Sequence, residues 1–308
     1  MHPDWLLPAD LPAGIGAVFT TRAGGISGPP FSGLNLGDHV GDEPAAVAAN
    51  RRRLAAALGA QPVFLRQVHG CGVVRLDARS APAQPVLEAD ACWTTERGLA
   101  CCILVADCLP VLLAAPDGRG VAAAHAGWRG LAAGVLEATA HALAGGTGCR
   151  PDALRAWLGP CIAQADFEVG ADVLAAFGVA PVPAGPARAG AHPAHGSAPA
   201  AAAGPARADE PPAERLDSAP AGGPAREGGH AAPAAVHPPS QALSAARHFA
   251  RGRPGRWQAD LAGLALDRLA ALGIATAGPP ALRTDDPRLY SYRRQGVTGR
   301  FAGCIWLA

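Results

Sequence analysis

The sequence predicts an α+β fold: one domain of packed mixed β-sheets flanked by helices, carrying a disordered insertion. Three observations predict it. Strand-length apolar runs and helix-length amphipathic runs follow one another with no internal repeat and no regular βα alternation. One of them, Leu99 to Val105 (LACCILV), is apolar throughout, which suits a strand buried on both faces. Residues 181–240 stand apart, with 20 Ala, 13 Pro, 8 Gly and no aromatic residue. Such a segment cannot bury enough apolar surface to offset chain entropy, so it is predicted to be disordered and dispensable for folding. The domain is then expected to comprise 1–180 and 241–308, about 250 residues, which is one domain's worth.

The elements follow in order. Gly16 to Thr21 is β-rich and runs into a turn-rich stretch. Pro44 to Leu58 is helical, with Pro in its first turn and Gly59 as its stop. Val63 to Val68 and Val73 to Leu76 predict strands around a Gly70–Gly72 turn. After Leu99 to Val105 come strands at Val111 to Ala115 and Val121 to Ala124, split by the turn PDGRG. Leu131 to Leu143 predicts a helix ended by Gly145–Gly146. Ala156 to Leu158 is a short strand, Gln258 to Leu272 an amphipathic helix stopped by Gly273, and Arg300 to Leu307 a closing strand.

Composition excludes several chemistries. The 26 basic residues are all Arg, since the chain holds no Lys. Lysine Schiff bases and Walker-type phosphate loops therefore have no amine to use. With 25 acidic residues against 26 basic ones, no global field draws nucleic acid or an anionic membrane. No apolar run reaches the roughly 18 residues of a membrane span. No secretory signal is visible at the start, and the 8 Cys include an adjacent pair but no C-x-x-C. A soluble, cytoplasmic chain with free thiols, monomeric or homodimeric, is expected.

Three short pieces carry metal-competent side chains: Gln67-Val68-His69-Gly70, Ala106-Asp107-Cys108-Leu109-Pro110 and His125-Ala126-Gly127-Trp128-Arg129-Gly130. Each falls where a predicted strand gives way to a loop, a place where catalytic groups are rigidly mounted. His69, Cys108 and His125 offer two nitrogens and one sulfur, which leaves one position of a tetrahedral zinc open. Asp107 is a candidate to orient a ligand histidine from behind. The spacing of 39 and then 17 residues is no short-range zinc motif. Taken singly, each of the three is equally a strand-end polar residue, a small core residue or a turn residue.

The blocks TTRAGGISGPPFSGLNLGDHVGDEPAAVAANRRRL, QVHG, ADCLPVLLA, AAHAGWRGLAAGVLEAT, WLGPCI, FEVG and SYRRQGVTGR occur in this order. In them the sequence resembles the YfiH family, labelled laccase-domain or polyphenol oxidase and later purine nucleoside phosphorylase. The resemblance implies an α+β fold and zinc held by His69, Cys108 and His125, with copper as an alternative occupant in vitro. It also implies phosphorolysis of adenosine, inosine and S-methyl-5'-thioadenosine, with adenosine deamination as a further activity. Purine nucleosides and phosphate are the implied partners, with no nucleic acid and no membrane. The 181–240 insertion departs from the family pattern, and Cys161 stands where an Ala-like residue is expected.

Further candidates surround the triad. Arg22, before a Gly pair, and Arg129, beside His125, are candidate phosphate contacts against the plain reading of solvated loop arginines. Gln67 would share a strand face with His69 and reach substrate. One of Arg293 and Arg294 is expected to pair with a carboxylate. Tyr292 and Phe31 are candidates to stack on a base, against membership of the core. Other functions use the same residues. A copper oxidase of the laccase type needs His-x-His pairs, which the sequence lacks. A cysteine hydrolase would take Cys108 as nucleophile and His125 as base. An interaction module with a structural zinc would need a fourth ligand, for which Cys71 is the candidate. The four histidines of the insertion (His192, His195, His230, His237) are read as solvated.

Overall fold

Strand β5 (Leu99–Val105) is buried at every residue and sits in the middle of the fold. It belongs to a four-stranded sheet in the order β1 (Ile15–Phe19), β13 (Phe301–Leu307), β5 and β2 (Gln61–Val63). A six-stranded sheet runs β12 (Ala275–Thr276), β8 (Arg155–Leu158), β6 (Leu109–Ala114), β7 (Val121–Ala126), β4 (Ala91–Thr94) and β3 (Val73–Arg75). A small third sheet joins β10 (Phe249–Arg251), β11 (Trp257–Ala259) and β9 (Glu168–Val169). The large sheets are mixed: β2 with β5, β3 with β4 and β8 with β12 pair in parallel, and their other pairs are antiparallel. This computed structural model describes residues 1–80, 86–180, 245–277 and 285–308. All of them belong to one unit. The predicted insertion 181–240 lies outside the described residues.

Side-chain alternation in β5 explains the unbroken apolar run. Leu99, Cys101, Ile103 and Val105 enter the core between the two large sheets, with Leu112, Val121, Ala123 and Trp157 opposite. Ala100, Cys102 and Leu104 face the other way, against Leu54 and Leu58 of helix α1 (Pro44–Leu58). The outer face of the six-stranded sheet packs on α2 (Trp128–Ala133), α3 (Val135–Thr147) and α5 (Leu261–Ala271), in a cluster that includes Leu131, Leu136, Leu143, Leu264 and Leu269. Two further short helices are α4 (Ala171–Ala176) and α6 (Tyr292–Gln295). The architecture is α/β/β/α, with the last strand of the chain inserted between β1 and β5. No helix among the described residues is long and apolar enough to cross a membrane.

Helix α1 begins and ends as the sequence predicts, with Pro in its first turn and Gly59 left-handed at φ 64°. Three predicted elements differ. The helix expected at Leu131 to Leu143 is two helices, broken at Gly134 (φ 93°). Gly145–Gly146 does not stop α3, which runs on to Thr147 and is capped by Gly148, left-handed at φ 66°. Gly146 is there because Trp93 lies on it: a Cβ would stand 2.0 Å from the indole. The helix expected from Gln258 starts three residues later, because Trp257–Ala259 pairs as β11 and Asp260 caps α5 through the N–H of Gly263 at 3.0 Å. The strand expected at Val63 to Val68 stops at Val63, so Gln67 and His69 stand on a loop. The backbone N–H groups of Val68, His69 and Gly70 go to a carboxylate instead of a strand partner.

Candidate metal centre

His125 lies in β7 on the face of Val121 and Ala123, which looks into the core between the large sheets. It is 3% exposed. Antiparallel register pairs Leu109 of β6 with Ala126 of β7. That register carries Cys108, at the entrance of β6, alongside Gly127. The turn before it depends on Asp107, held at φ 93°. His69 comes from the loop between β2 and β3, itself left-handed at φ 60°. The three ligand atoms lie within 4.8 Å of one another, His69 exposed, Cys108 partly buried and His125 buried. Cys108 Sγ is 3.9 Å from His69 Nε2, and the two imidazoles meet edge to face at 4.7 Å between centroids.

The set fits a metal ion. Bonds of about 2.0–2.3 Å would bring tetrahedral donors to roughly 3.5 Å apart, so closure needs an inward swing of the His69 ring on its exposed loop. Gly127 keeps the space clear: a Cβ there would stand 2.9 Å from His69 Cδ2, 3.2 Å from Cys108 Sγ and 3.6 Å from His125 Cε1. Gly130 serves the same loop from beneath, since its Cβ would meet the carbonyl of Gly70 at 2.6 Å. These contacts are the reason for two of the glycines in HAGWRG.

Behind the set stands Asp90, fully buried, which the sequence reading did not single out. Its Oδ1 is 2.8 Å from His125 Nδ1 and accepts the His69 N–H at 2.9 Å. Its Oδ2 accepts the N–H groups of Gly70 and Val68 at 2.7 and 3.2 Å. An ionised carboxylate only accepts, so Nδ1 of His125 carries the proton and Nε2 is left for a metal. Burial alone would raise the Asp90 carboxyl; His125 and the Gly70 and Val68 N–H groups more than offset this and hold it below the ordinary range. Burial likewise pushes the Cys108 thiol up, but the charge of His125, with hydrogen bonding to His125 and His69, brings it down to about 6. For His125, burial opposes protonation; the Cys108 charge and the Asp90 bond overcome it and raise the imidazole to about 9. The centre is built to hold a thiolate at neutral pH.

The other predicted residues are placed as follows. Asp107 does not support a histidine. Its carboxylate turns away, accepting Ser291 Oγ at 2.7 Å and the Arg293 N–H at 2.6 Å, so it latches the C-terminal loop beside Cys108. Gln67 is engaged at both ends by Leu104 of β5, donating at 2.9 Å and accepting at 2.8 Å, and so anchors the His69 loop to the sheet. Arg22 donates to the Leu289 carbonyl and to Gln295 Oε1 and lies 4.2 Å over the Tyr290 ring. Arg129 is exposed, with its guanidinium 4.5 Å over Trp128. The guanidinium groups of Arg293 and Arg294 donate to backbone carbonyls, and Arg293 meets the Asp107 carboxylate through its backbone N–H. Phe31 is buried and Tyr292 half exposed. Cys71 packs against the outer core cluster, away from the triad, and supplies no fourth ligand. The four histidines of the insertion lie outside the described residues.

The family described as multi-copper polyphenol oxidoreductase laccase matches residues 16–197 and 230–308. The chain belongs to this family. Within the laccase-like family it is 41% identical over 309 residues to purine nucleoside phosphorylase PA4543 of Pseudomonas aeruginosa, covering 100% of this chain and 98% of that one. It is 35% identical over 309 residues to purine nucleoside phosphorylase YfiH of Shigella flexneri, covering 99% and 97%. The crystal structure of Neisseria meningitidis protein NMB0706 superposes with a TM-score of 0.73 at 32% identity, covering 99% of each chain. The resemblance to YfiH thus spans nearly the whole chain, the family match leaves out 198–229 within the insertion, and the mixed α+β fold is shared with a solved relative.

Proposed function

We propose that the protein is a zinc-dependent purine nucleoside phosphorylase acting on adenosine, inosine and S-methyl-5'-thioadenosine, with adenosine deamination as a side activity. The carrying observation is the convergence of His69, Cys108 and His125, with His69 exposed, in a chain that matches proteins named purine nucleoside phosphorylase over nearly their full length. Three protein donors leave one coordination position free, as a catalytic rather than a structural zinc requires. Zinc held there would supply Lewis acidity towards a substrate oxygen or water at neutral pH.

The chain's own residues prepare the site. Asp90 fixes the tautomer of His125 and ties down the loop carrying His69. Gly127 leaves the floor open, and the latch on Asp107 brings the C-terminal loop to the rim. In phosphorolysis a phosphate oxygen bonds to the anomeric carbon of ribose while the bond from that carbon to the purine nitrogen breaks. The electron pair leaves with the base, which takes up a proton. In deamination water adds at the purine carbon bearing the amine, and ammonia leaves. Chromatography of inosine and adenosine reactions, on protein of measured zinc content, is expected to show free base only when phosphate and zinc are both present. Equal base release without phosphate would mean hydrolysis and would overturn the phosphorylase reading.

A second reading, a cysteine hydrolase, is favoured by one observation: the pairing of a lowered thiol with a raised imidazole. In metal-free protein, alkylation of Cys108 by iodoacetamide reports its thiolate. A thiol lowered to about 6 loses its thiolate as pH falls through 6 and keeps it above. The alkylation rate is therefore expected to be flat from neutral pH upward to about 9, where His125 loses its proton, and to fall about tenfold per unit below pH 6. Zinc should suppress it. Alkylation and base release that both proceed at full rate in zinc-loaded protein would favour the hydrolase.

A further inference from the structure

Arg300 stands at the entrance of β13, beside the end of β5 that leads to Asp107 and Cys108. The antiparallel pairing of Phe301 with Val105 sets it opposite Ala106, directly before Asp107 and Cys108. Its backbone is clamped from both sides. Asn35, fully buried, accepts the Arg300 N–H at 2.8 Å and the Gly37 N–H at 3.0 Å through the same oxygen. The Leu36 N–H donates to the Arg300 carbonyl at 3.1 Å. Gly37 gives the side chain its path, since a Cβ there would stand 2.8 Å from Arg300 Cγ. The stretch Leu34-Asn35-Leu36-Gly37 thus fixes the arginine's entry and direction.

The guanidinium is partly buried and incompletely used. Nη1 donates to the carbonyls of Thr298 and Gly299 at 3.0 and 3.1 Å. Nε and Nη2 have no partner among the described residues, and no carboxylate there forms an ion pair with the group. A partly buried guanidinium with two donors unused by the protein is a ready partner for an anion. Burial lowers its pKa, and the charges of Cys108 and Asp107 act in the opposite direction. Of the other arginines near the site, Arg22 is tied to Leu289, Gln295 and Tyr290, and Arg129 lies exposed over Trp128, where solvent weakens an anion contact.

We propose that Arg300 is the phosphate-binding residue of this site, its Nε and Nη2 donating to two oxygens of inorganic phosphate beside the metal ligands. A planar fork with two free donors suits an oxyanion, and a partly buried place strengthens the pairing. The assignment rests on the phosphorylase reading only in naming phosphate as the anion.

The test uses zinc-loaded, full-length protein and the variants Arg300→Gln and Arg300→Lys. Inorganic phosphate is titrated by calorimetry without nucleoside. Zinc content and the KM values for phosphate and inosine are measured beside it. In Arg300→Gln, phosphate affinity is expected to fall by about tenfold or more, the loss of one to two charge-assisted hydrogen bonds. Its phosphate KM rises in step, while zinc content and the inosine KM stay as in the wild type. Arg300→Lys keeps the charge without the fork and should lie between the two. Wild-type phosphate affinity in Arg300→Gln, or in Arg300→Lys if the Gln variant does not fold, overturns the assignment. Absence of phosphate binding by the wild type overturns it as well. If the wild type binds phosphate through Arg300 yet releases no base, the phosphorylase reading fails and the anion site stands.

Discussion

Cys108→Ala is expected to empty the metal centre and reduce base release and deamination to background. The thiolate is the one charged donor of the set, and without it two neutral imidazoles face each other across a gap that Gly127 leaves open. Groups that merely support a ligand are worth about 10–100-fold in metal affinity, so loss of the ligand itself should exceed about a hundredfold. The fold should survive, because Cys108 is only partly buried and lies at a strand entrance. The imidazole of His125 also loses the charge that most strongly raises it and titrates lower. Zinc content after dialysis, activity at saturating phosphate and the thermal midpoint are the measurements. Full activity in a zinc-free Cys108→Ala protein would sink the metal mechanism.

What could be seen in the sequence followed what local chemistry encodes. The apolar run Leu99 to Val105 announced a strand buried on both faces, and Pro44 with Gly59 announced the ends of α1. The three ligands were legible as motifs, but the spacing between them carried no geometry. Their meeting depends on the pairing of β6 with β7, which sets Cys108 beside Gly127, and on the loop bearing His69. Asp107 misled because adjacency in sequence is not adjacency of side chains: a left-handed backbone turns its carboxylate to Ser291 and Arg293. Asp90 left only a faint trace, a lone acid between Ala89 and Ala91 at the start of a strand. A buried carboxylate among small apolar residues must be satisfied, and its partners came from a loop about 20 residues earlier and a strand about 35 later. Gly146 shows the same limit, for its role belongs to Trp93 on another element.

Asp90→Asn tests how far that hidden carboxylate holds the centre together. The substitution keeps shape but turns one oxygen into a donor. If the amide nitrogen replaces Oδ2, the N–H groups of Val68 and Gly70 lose their acceptor; if it replaces Oδ1, the His69 N–H and His125 Nδ1 do. Either orientation orphans two donors, and each one that stays dry costs about 1–3 kcal/mol. The thermal midpoint is expected to drop by about 4 °C or more. The second effect is specific to the metal. Without an acceptor at Nδ1, or with the His69 loop released, the ligands lose their common orientation, and zinc affinity should fall about 10–100-fold. A competition titration against a chelator, run below the lowered midpoint, separates the two effects. A lower midpoint with unchanged zinc affinity would mean that Asp90 secures only the loop. A parallel loss of both would establish that one buried carboxylate sets the backbone of His69 and the tautomer of His125 together.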